Sequence, residues 1–242
     1  MKYSFFYPDH SIIKSLIPNS KSLFYFNLLT FVFETGNQYM TSSIGCYEYL
    51  IMSQQWPPTV CKTLPCAREK IRETFGIHGL WPENTTEFCS NDRYHKMPKA
   101  LEDELHIEWP NLKEGEEDED FWKREWNKHG TYSRDKFNQT EYFELALRIK
   151  KKVDLLELLK QGGIMPSDDQ RYSLMDIVNA VKDGINNSEP GILCYYKNNE
   201  TSNLLKEIRV CLEADGRFYK DCPQSIREVN CKKNMTNITL PI

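Results

Sequence analysis

Eight cysteines constrain this 242-residue chain more than any other feature, because disulfide bonds would cross-link it. They lack the paired CxxC spacing of a zinc site, so a disulfide framework is the better interpretation. Such a framework requires an oxidising compartment. The cysteines stand at positions 46, 61, 66, 89, 194, 211, 222 and 231.

Six Asn-x-Ser/Thr acceptor sequences favour the same compartment, since they have meaning only in chains that enter the secretory route. Two or three would arise by chance in such a chain, whereas six beside eight cysteines favour secretion. We therefore expect the protein in the extracellular space or in the lumen of the endomembrane system, the vacuole included. The acceptors are Asn84, Asn138, Asn186, Asn199, Asn234 and Asn237.

The apolar run LFYFNLLTFVF, at residues 23–33, has the length of a signal-peptide core and follows Lys14 and Lys21. No small-x-small cleavage site follows it directly, and a leader that reaches residue 45 exceeds the roughly 15 to 30 residues of an ordinary signal. An atypical signal, a misplaced start codon and a buried N-terminal helix all stay open. We divide the chain into a leader at 1–45 and a folded domain at 46–242.

The composition is that of a globular domain, with 40% hydrophobic and 27% charged residues, and it excludes collagen-like, low-complexity and coiled-coil chains. No stretch reaches the ~18 uninterrupted apolar residues of a bilayer span, so we expect no membrane span. The net charge is −4, from 31 Lys and Arg against 35 Asp and Glu. A nucleic acid would therefore have to be bound by local groups rather than by a basic surface as a whole.

Strand-like segments at both ends of the domain enclose a helical middle, and this order predicts an α+β fold. We expect a single domain with a central, mostly antiparallel sheet, packed by several helices and stapled by disulfides. The acidic run at 114–120 is expected to be a solvated loop, and it lacks the spacing of an EF-hand. The predicted elements are a strand in YEYLIMSQQ that ends at Pro57-Pro58, a strand at 75–81 leading into a turn at Pro82, helices at 98–107, 121–130, 141–160 and from Ser173 to about 185, and strands in GILCYY, KEIRVCL and RFYKDC, with a hairpin at Asp215-Gly216 between the last two.

Two of the five histidines have unusual neighbours. His78 lies in FGIHGLWP, between two glycines and before a tryptophan. Glu125, Lys128 and His129 of FWKREWNKHG stand at i, i+3 and i+4, which places them on one helix face, with the two tryptophans of this segment along the same side. A carboxylate, an ammonium and an imidazole beside aromatic rings form a candidate acid-base site. From the residues alone, two structural histidines and a helical Glu/Lys pair are an equally good interpretation.

Cleavage of RNA by its own 2′-hydroxyl would use such a set. A neutral imidazole would take the hydroxyl proton, and a protonated one would deliver a proton to the departing 5′-oxygen. Lys128 would neutralise the charge that gathers on the phosphorane-like transition state, while Glu125 would orient that ammonium or share in proton transfer. This chemistry needs no metal or other cofactor, and the histidines never approach the HExxH spacing of a zinc site.

FGIHGLWP and EWNKHGTYS resemble the two active-site segments of the T-two class of secreted ribonucleases, which includes the plant S-ribonucleases and their S-like relatives. The similarity extends over about residues 47–242. It implies that His78 is the general acid, that His129 is the general base, and that Glu125 and Lys128 stabilise the pentacovalent phosphate. It further implies an aromatic wall at Trp81 and contacts to a base at Gln55, Asn111 and Phe121, which as residues alone would equally be a strand-end amide, a turn former and a core aromatic.

Two positions depart from the family pattern. Arg124 stands where many relatives have a histidine, and it is either a phosphate contact or a solvent-facing side chain. Tyr132 stands where the family usually has a cysteine, which leaves Cys89 without that partner. Cys46 is an extra cysteine, so it pairs with Cys89 by elimination or both are free. The family pattern implies the disulfides Cys61–Cys66, Cys194–Cys231 and Cys211–Cys222.

We therefore predict a secreted, metal-independent endoribonuclease that cleaves single-stranded RNA by 2′-OH transesterification through a 2′,3′-cyclic phosphate. DNA lacks the attacking hydroxyl and is not an expected substrate, and we expect a monomer without a cofactor. The alternative is a catalytically impaired family member that acts as a recognition, binding or storage glycoprotein. Arg124 and Tyr132 favour that alternative, and the intact set of two histidines, Glu and Lys disfavours it.

Overall fold

The computed structural model describes residues 45–85, 92–196, 203–229, 231 and 237–242, and its main feature is a sheet assembled from both ends of the chain. The strand order is β2-β1-β4-β3-β6, with β5 and β7 also paired to β4. All described pairings are antiparallel except β6 on β3 and β7 on β4, so the predicted α+β fold with a mostly antiparallel sheet is confirmed. The strands are β1 (Tyr49–Gln55), β2 (Gly76–Glu83), β3 (Gly191–Tyr195), β4 (Asn203–Glu213), β5 (Tyr219–Lys220), β6 (Glu228–Val229) and β7 (Ile238–Thr239).

Helices occupy the middle of the chain, as predicted, and their caps explain several of their boundaries. Asn138 accepts a hydrogen bond from the amide of Glu141 at 3.0 Å, and the Glu141 side chain accepts one from the amide of Asn138 at 2.8 Å, which is a capping box. Ser173 caps another helix through the amide of Asp176, as the sequence predicts. The helices are α1 (Pro57–Val60), α2 (Lys99–Glu108), α3 (Asp118–Lys128), α4 (Gln139–Lys152), α5 (Leu155–Gln161), α6 (Leu174–Lys182) and α7 (Gln224–Arg227), with short 3₁₀ segments at Arg68–Lys70 and Gly130–Ser133.

Aromatic side chains join the helices to the sheet in one core. The Tyr142 hydroxyl of α4 donates to the carbonyl of Leu80 on β2 at 2.6 Å, and the Trp122 indole of α3 donates to the carbonyl of Trp109 at 2.8 Å. These bonds satisfy the polar ends of rings that are otherwise buried in apolar surroundings. Among the residues that the structure describes, the fully buried aromatic side chains are Trp56, Trp109, Trp122, Trp126, Tyr142 and Phe143.

The sequence predicts that the second strand leads into a turn at Pro82. In the structure, β2 instead continues to Glu83. Pro82 lies opposite Leu50 of β1 and is buried. The strand tolerates a proline because β2 is the outermost strand of the described sheet, and among the described residues only β1 pairs with it. The chain turns at Asn84 instead, which has a left-handed backbone with φ of 54°.

The single helix predicted at 141–160 is wrong, because two helices occupy this segment. Helix α4 ends at Lys152, and Val153, in a non-helical conformation, is buried in the core. Asp154 then caps α5 by accepting from the amide of Glu157 at 3.1 Å. A local side-chain bond to the backbone thus competes with continuation of the helix.

The acidic run at 114–120 is not entirely a solvated loop. Asp118 begins α3 and is 6% exposed. Its carboxylate accepts from Lys70 Nζ at 2.7 Å, from His106 Nδ1 at 2.6 Å and from the amide of Asn111 at 2.7 Å. These donors lower the pKa of Asp118 despite its burial, which on its own would raise it.

The three implied disulfides are present: Cys61–Cys66, Cys194–Cys231 and Cys211–Cys222. Cys46 is also disulfide-bonded, so the expectation that it could be free is wrong. Cys89, the leader up to residue 44, and the acceptors Asn199 and Asn234 lie outside the described residues. In the part of the chain that the structure describes, no helix has the length and apolar character needed to cross a bilayer.

Candidate active site

The first predicted histidine lies at a bulge in β2. The register of β1 against β2 skips His78 at the step from Ser53 to Gln54. A bulge changes the alternation of side chains along a strand. His78 and Trp81, three positions apart, consequently lie on the same side, with ring centroids 5.1 Å apart in an edge-on arrangement.

The end of α3 carries the second group of predicted residues. Glu125 and Lys128 lie in its last turn, and His129 is the residue at which the helix ends, with its amide bonded to the carbonyl of Glu125 at 2.9 Å. Gly130 follows, and a Cβ at this position would lie 2.3 Å from the Trp126 ring. Only glycine therefore lets the chain turn this close to the core tryptophan.

The helical pattern indicated that the two tryptophans of α3 lie beside the site, and this is wrong. Trp122 and Trp126 are each 1% exposed and belong to the core, where the Trp126 ring lies 5.5 Å from that of Tyr142. The aromatic ring beside His129 is Trp81 of β2, at a centroid distance of 5.5 Å.

The indole of Trp81 joins the two halves of the site. It contacts the rings of both His78 and His129, and its Nε1 donates to Glu125 Oε2 at 2.9 Å. Gly79 permits this approach, because a Cβ there would lie 2.1 Å from Trp81 Nε1 and 2.5 Å from Glu125 Oε2. The structure thus brings the two histidines, Glu125 and the implied aromatic wall together.

The two histidines have opposite electrostatic surroundings. Burial, followed by the charges of Lys128 and His78, lowers the pKa of His129 to about 4, so this imidazole is neutral at neutral pH. His78 contacts a carboxylate instead, with its Nδ1 2.9 Å from Glu207 Oε1. Burial also raises the pKa of Glu125, against the opposing effects of the indole hydrogen bond and the nearby positive charges.

Glu207, on the central strand β4, is the residue that sequence reasoning missed. Its carboxylate is 3% exposed and also accepts from Ser53 Oγ at 3.0 Å and from Arg209 Nη2 at 3.2 Å. The signal in the sequence was a glutamate within the strand segment KEIRVCL, where an inward charge needs partners. Among the described residues, no group of three or more His, Cys, Asp or Glu side chains is arranged to hold a metal ion.

Two of the residues implied to contact a base, Phe121 and Asn111, are linked to Arg124 by a direct contact or by a shared partner. The Phe121 ring is 6.3 Å from that of His78, and the Arg124 guanidinium lies over Phe121 at 5.8 Å. Arg124 Nη2 donates to Glu116 Oε2 at 2.8 Å, and the side-chain nitrogen Nδ2 of Asn111 donates to the same oxygen at 3.3 Å.

Gln55 is the remaining residue implied to contact a base. It is 7% exposed at the end of β1, opposite Gly76 of β2 and Glu207 of β4. Gln55 therefore lies on the strand between β2, which carries His78, and β4, which carries Glu207.

The turn after His129 is held by local hydrogen bonds where the family usually has a cysteine. The amide of Tyr132 donates to the carbonyl of His129 at 3.1 Å, and Ser133 Oγ donates to the carbonyl of Gly130 at 2.7 Å. Ser133 is fully buried. The backbone that follows the second histidine thus has a defined conformation with tyrosine at position 132.

The chain is similar to known ribonucleases over most of its length. The chain is 34% identical to ribonuclease S-7 of Nicotiana alata over 190 residues, which are 74% of this chain and 83% of that protein. It is 32% identical to ribonuclease DdI of Dictyostelium discoideum over 192 residues, 76% of this chain and 82% of that protein.

Solved structures and a family model extend the similarity to the fold. The SF11-RNase of Nicotiana alata, associated with gametophytic self-incompatibility, superposes with a TM-score of 0.71 at 28% identity, over 81% of this chain and 100% of that one. Ribonuclease MC1 from bitter gourd seeds gives a TM-score of 0.69 at 28% identity, over 80% and 100%. Residues 47–222 match the model of the Ribonuclease T2 family. The chain therefore belongs to the Ribonuclease T2 family.

Proposed function

We propose that this protein is a metal-independent endoribonuclease that cleaves single-stranded RNA through a 2′,3′-cyclic phosphate. The observation that carries the proposal is the Trp81 indole, which contacts the rings of both His78 and His129. Two imidazoles in different electrostatic surroundings beside one aromatic wall suit the transfer of two protons in one displacement. A variant of ribonuclease MC1 was solved with 5′-UMP, and RNase NT was solved with 5′-AMP, which supports RNA as the substrate class.

The reaction assigns one proton transfer to each histidine. Neutral His129 takes the proton of the 2′-hydroxyl, and the 2′-oxygen forms a bond to phosphorus. The bond from phosphorus to the 5′-oxygen breaks, and protonated His78 gives that oxygen a proton, which leaves a 2′,3′-cyclic phosphate and a free 5′-hydroxyl. Lys128 stabilises the negative charge on the non-bridging oxygens, and Glu125 orients the phosphate contacts from its hydrogen bond to Trp81.

The substrate's bases would bind along the surface next to His78. Phe121 offers a ring for stacking, and unpaired bases expose the faces that stack on such rings. Gln55 and Asn111 would contact the base edge, and Arg124, now bonded to Glu116, would turn to a phosphate.

Release of acid-soluble nucleotides from single-stranded RNA, with EDTA present and from pH 4 to pH 8, tests the proposal. His129→Ala and His78→Ala should each lower the rate by about 10² to 10⁴. His95→Ala removes a histidine outside the site and should leave the rate unchanged. The products should carry a 2′,3′-cyclic phosphate, and an oligodeoxynucleotide should stay intact. Cleavage that EDTA abolishes, or that survives both active-site substitutions, would contradict the mechanism.

We also propose that the protein is a secreted, monomeric glycoprotein whose residues 1–45 act as the leader, so that it reaches the extracellular space or an endomembrane lumen such as the vacuole. Four acceptors within the described residues are exposed: Asn84, Asn138, Asn186 and Asn237. The disulfides support an oxidising compartment. The protein from a eukaryotic host tests these proposals. Mass spectrometry before and after glycosidase treatment should show the loss of glycans, and N-terminal sequencing should give a start near residue 46. Light scattering should give the mass of one chain.

The alternative, a family member that recognises a partner or stores nitrogen without catalysis, makes the opposite prediction in the same assay. Folded protein would release no nucleotides at any pH. A far-UV circular dichroism spectrum and a cooperative unfolding transition establish that such a sample is folded.

A further inference from the structure

A buried carboxylate stands directly behind the first catalytic histidine. Glu207 lies within β4, opposite Gln55 of β1 and Leu193 of β3, so strands flank it on both sides. It is 3% exposed. A charge in such a position is costly unless it is fully paired.

Three donors account for the two oxygens of this carboxylate. His78 Nδ1 lies 2.9 Å from Oε1, while Ser53 Oγ and Arg209 Nη2 donate to Oε2 at 3.0 Å and 3.2 Å. Arg209 is itself held against the Trp81 ring, with its guanidinium carbon 5.1 Å from the centroid. Burial alone would raise the pKa of Glu207, but the hydrogen bond and charge of His78, the charge of Arg209 and the Ser53 hydroxyl together lower it to about 2.

An ionised carboxylate accepts hydrogen bonds and donates none, so the contact with His78 determines which ring nitrogen carries the proton. Nδ1 must donate to Glu207, and Nε2, on the opposite edge of the ring, is the nitrogen left for the substrate. The backbone of His78 is also held, since its carbonyl accepts from the Trp109 indole at 3.1 Å. The imidazole is thus held through both its ring and its main chain.

We propose that Glu207 is a positioning residue that holds His78 with Nδ1 protonated, so that Nε2 delivers the proton to the departing 5′-oxygen. This inference rests on the proposed ribonuclease function and adds the group that orients its general acid. Ser53 and Arg209 hold the carboxylate in turn. The same logic of a carboxylate that sets the tautomer and orientation of a catalytic histidine operates in other hydrolytic enzymes.

The test uses two substrates that differ in their need for an acid. A dinucleoside phosphate has an alkoxide leaving group that requires a proton, whereas a nucleoside 3′-(4-nitrophenyl phosphate) with the same base releases a stable aryl oxide. Glu207→Gln should lower kcat for the dinucleoside about 10- to 100-fold, with little change in KM, and should change kcat for the aryl ester by less than about threefold. Glu102→Gln, which alters a similarly buried carboxylate on α2 without a hydrogen bond to His78, should leave both rates unchanged.

A second variant and a second measurement cover the case in which Glu207→Gln does not fold. Ser53→Ala removes one donor to Oε2 and keeps the bond to His78, so it should lower the dinucleoside rate severalfold and spare the aryl ester. Nitrogen NMR of His78, in labelled wild-type protein above the titration range of the ring, should show a proton on Nδ1 and none on Nε2. This readout needs no catalytic activity.

The outcomes separate the two proposals. A wild-type protein without ribonuclease activity, or one that His78→Ala leaves active, overturns the proposed function. If His78 is required but both substrates lose rate equally in Glu207→Gln, or neither does, then the positioning role is wrong. A neutral His78 with its proton on Nε2 also refutes that role, whatever the activity.

Discussion

The replacement His129→Asn removes an imidazole that the fold keeps neutral. The pH dependence of the free energy of unfolding measures how strongly the native protein disfavours the charged ring. Burial is the largest cause of the lowered pKa of about 4, compared with 6.5 for a free histidine. Between these values the unfolded chain binds a proton that the native protein does not, so wild-type stability falls as the pH drops from 6.5 to 4. The full shift corresponds to about 3 kcal/mol, and solvent screening of the partly exposed ring reduces the expected effect to about 2 kcal/mol.

Urea unfolding followed by far-UV circular dichroism, from pH 7 to pH 4, measures this effect. Wild-type protein should lose about 2 kcal/mol more stability over this interval than His129→Asn. Protonation of Glu207 also lowers the stability as the pH falls, but only below pH 4.5. Its pKa is 4.5 in the unfolded chain and about 2 in the native protein, so the unfolded chain binds this proton first. His95→Asn controls for the loss of a histidine outside the site. Parallel stability curves for wild-type protein and His129→Asn would refute the view that the fold disfavours the charged ring.

Two further substitutions test the geometry and the electrostatics of the site. Gly79→Ala should lower activity at least tenfold, because its Cβ would lie 2.1 Å from Trp81 Nε1, whereas Gly76→Ala on the same strand meets no atom closer than 3.8 Å and should stay active. Equal activity of the two variants would contradict the close packing. Lys128→Gln should raise the pKa of His129 in an NMR titration, though not to 6.5, because burial is the larger cause. An unchanged pKa would show that the ammonium does not act on the ring.

Local sequence predicted those elements whose boundaries depend on local bonds. The Ser173 cap, the hairpin at Asp215-Gly216 and the strand that ends before Pro57 all appear where their residues indicated. The errors arose where tertiary contacts or a competing cap decided the outcome. Pro82 stays in a strand because β2 is an edge.

A competing cap and distant donors account for two of the other errors. Asp154 divides one predicted helix into two by capping the second. Asp118 is buried because a lysine 48 residues away and a histidine 12 residues away supply its donors.

The sequence by itself determined the class of fold and the residue types of the site. Its order of strands and helices, its cysteines and the spacing of Glu125, Lys128 and His129 are local properties of the chain, and they pointed to acid-base chemistry. Only the tertiary structure decided how these groups meet. A bulge turns His78 toward Trp81, and the carboxylate that holds its ring comes from a residue 129 positions later. Register and long-range pairing depend on how strands assemble, and residues this far apart come together only when the sheet forms.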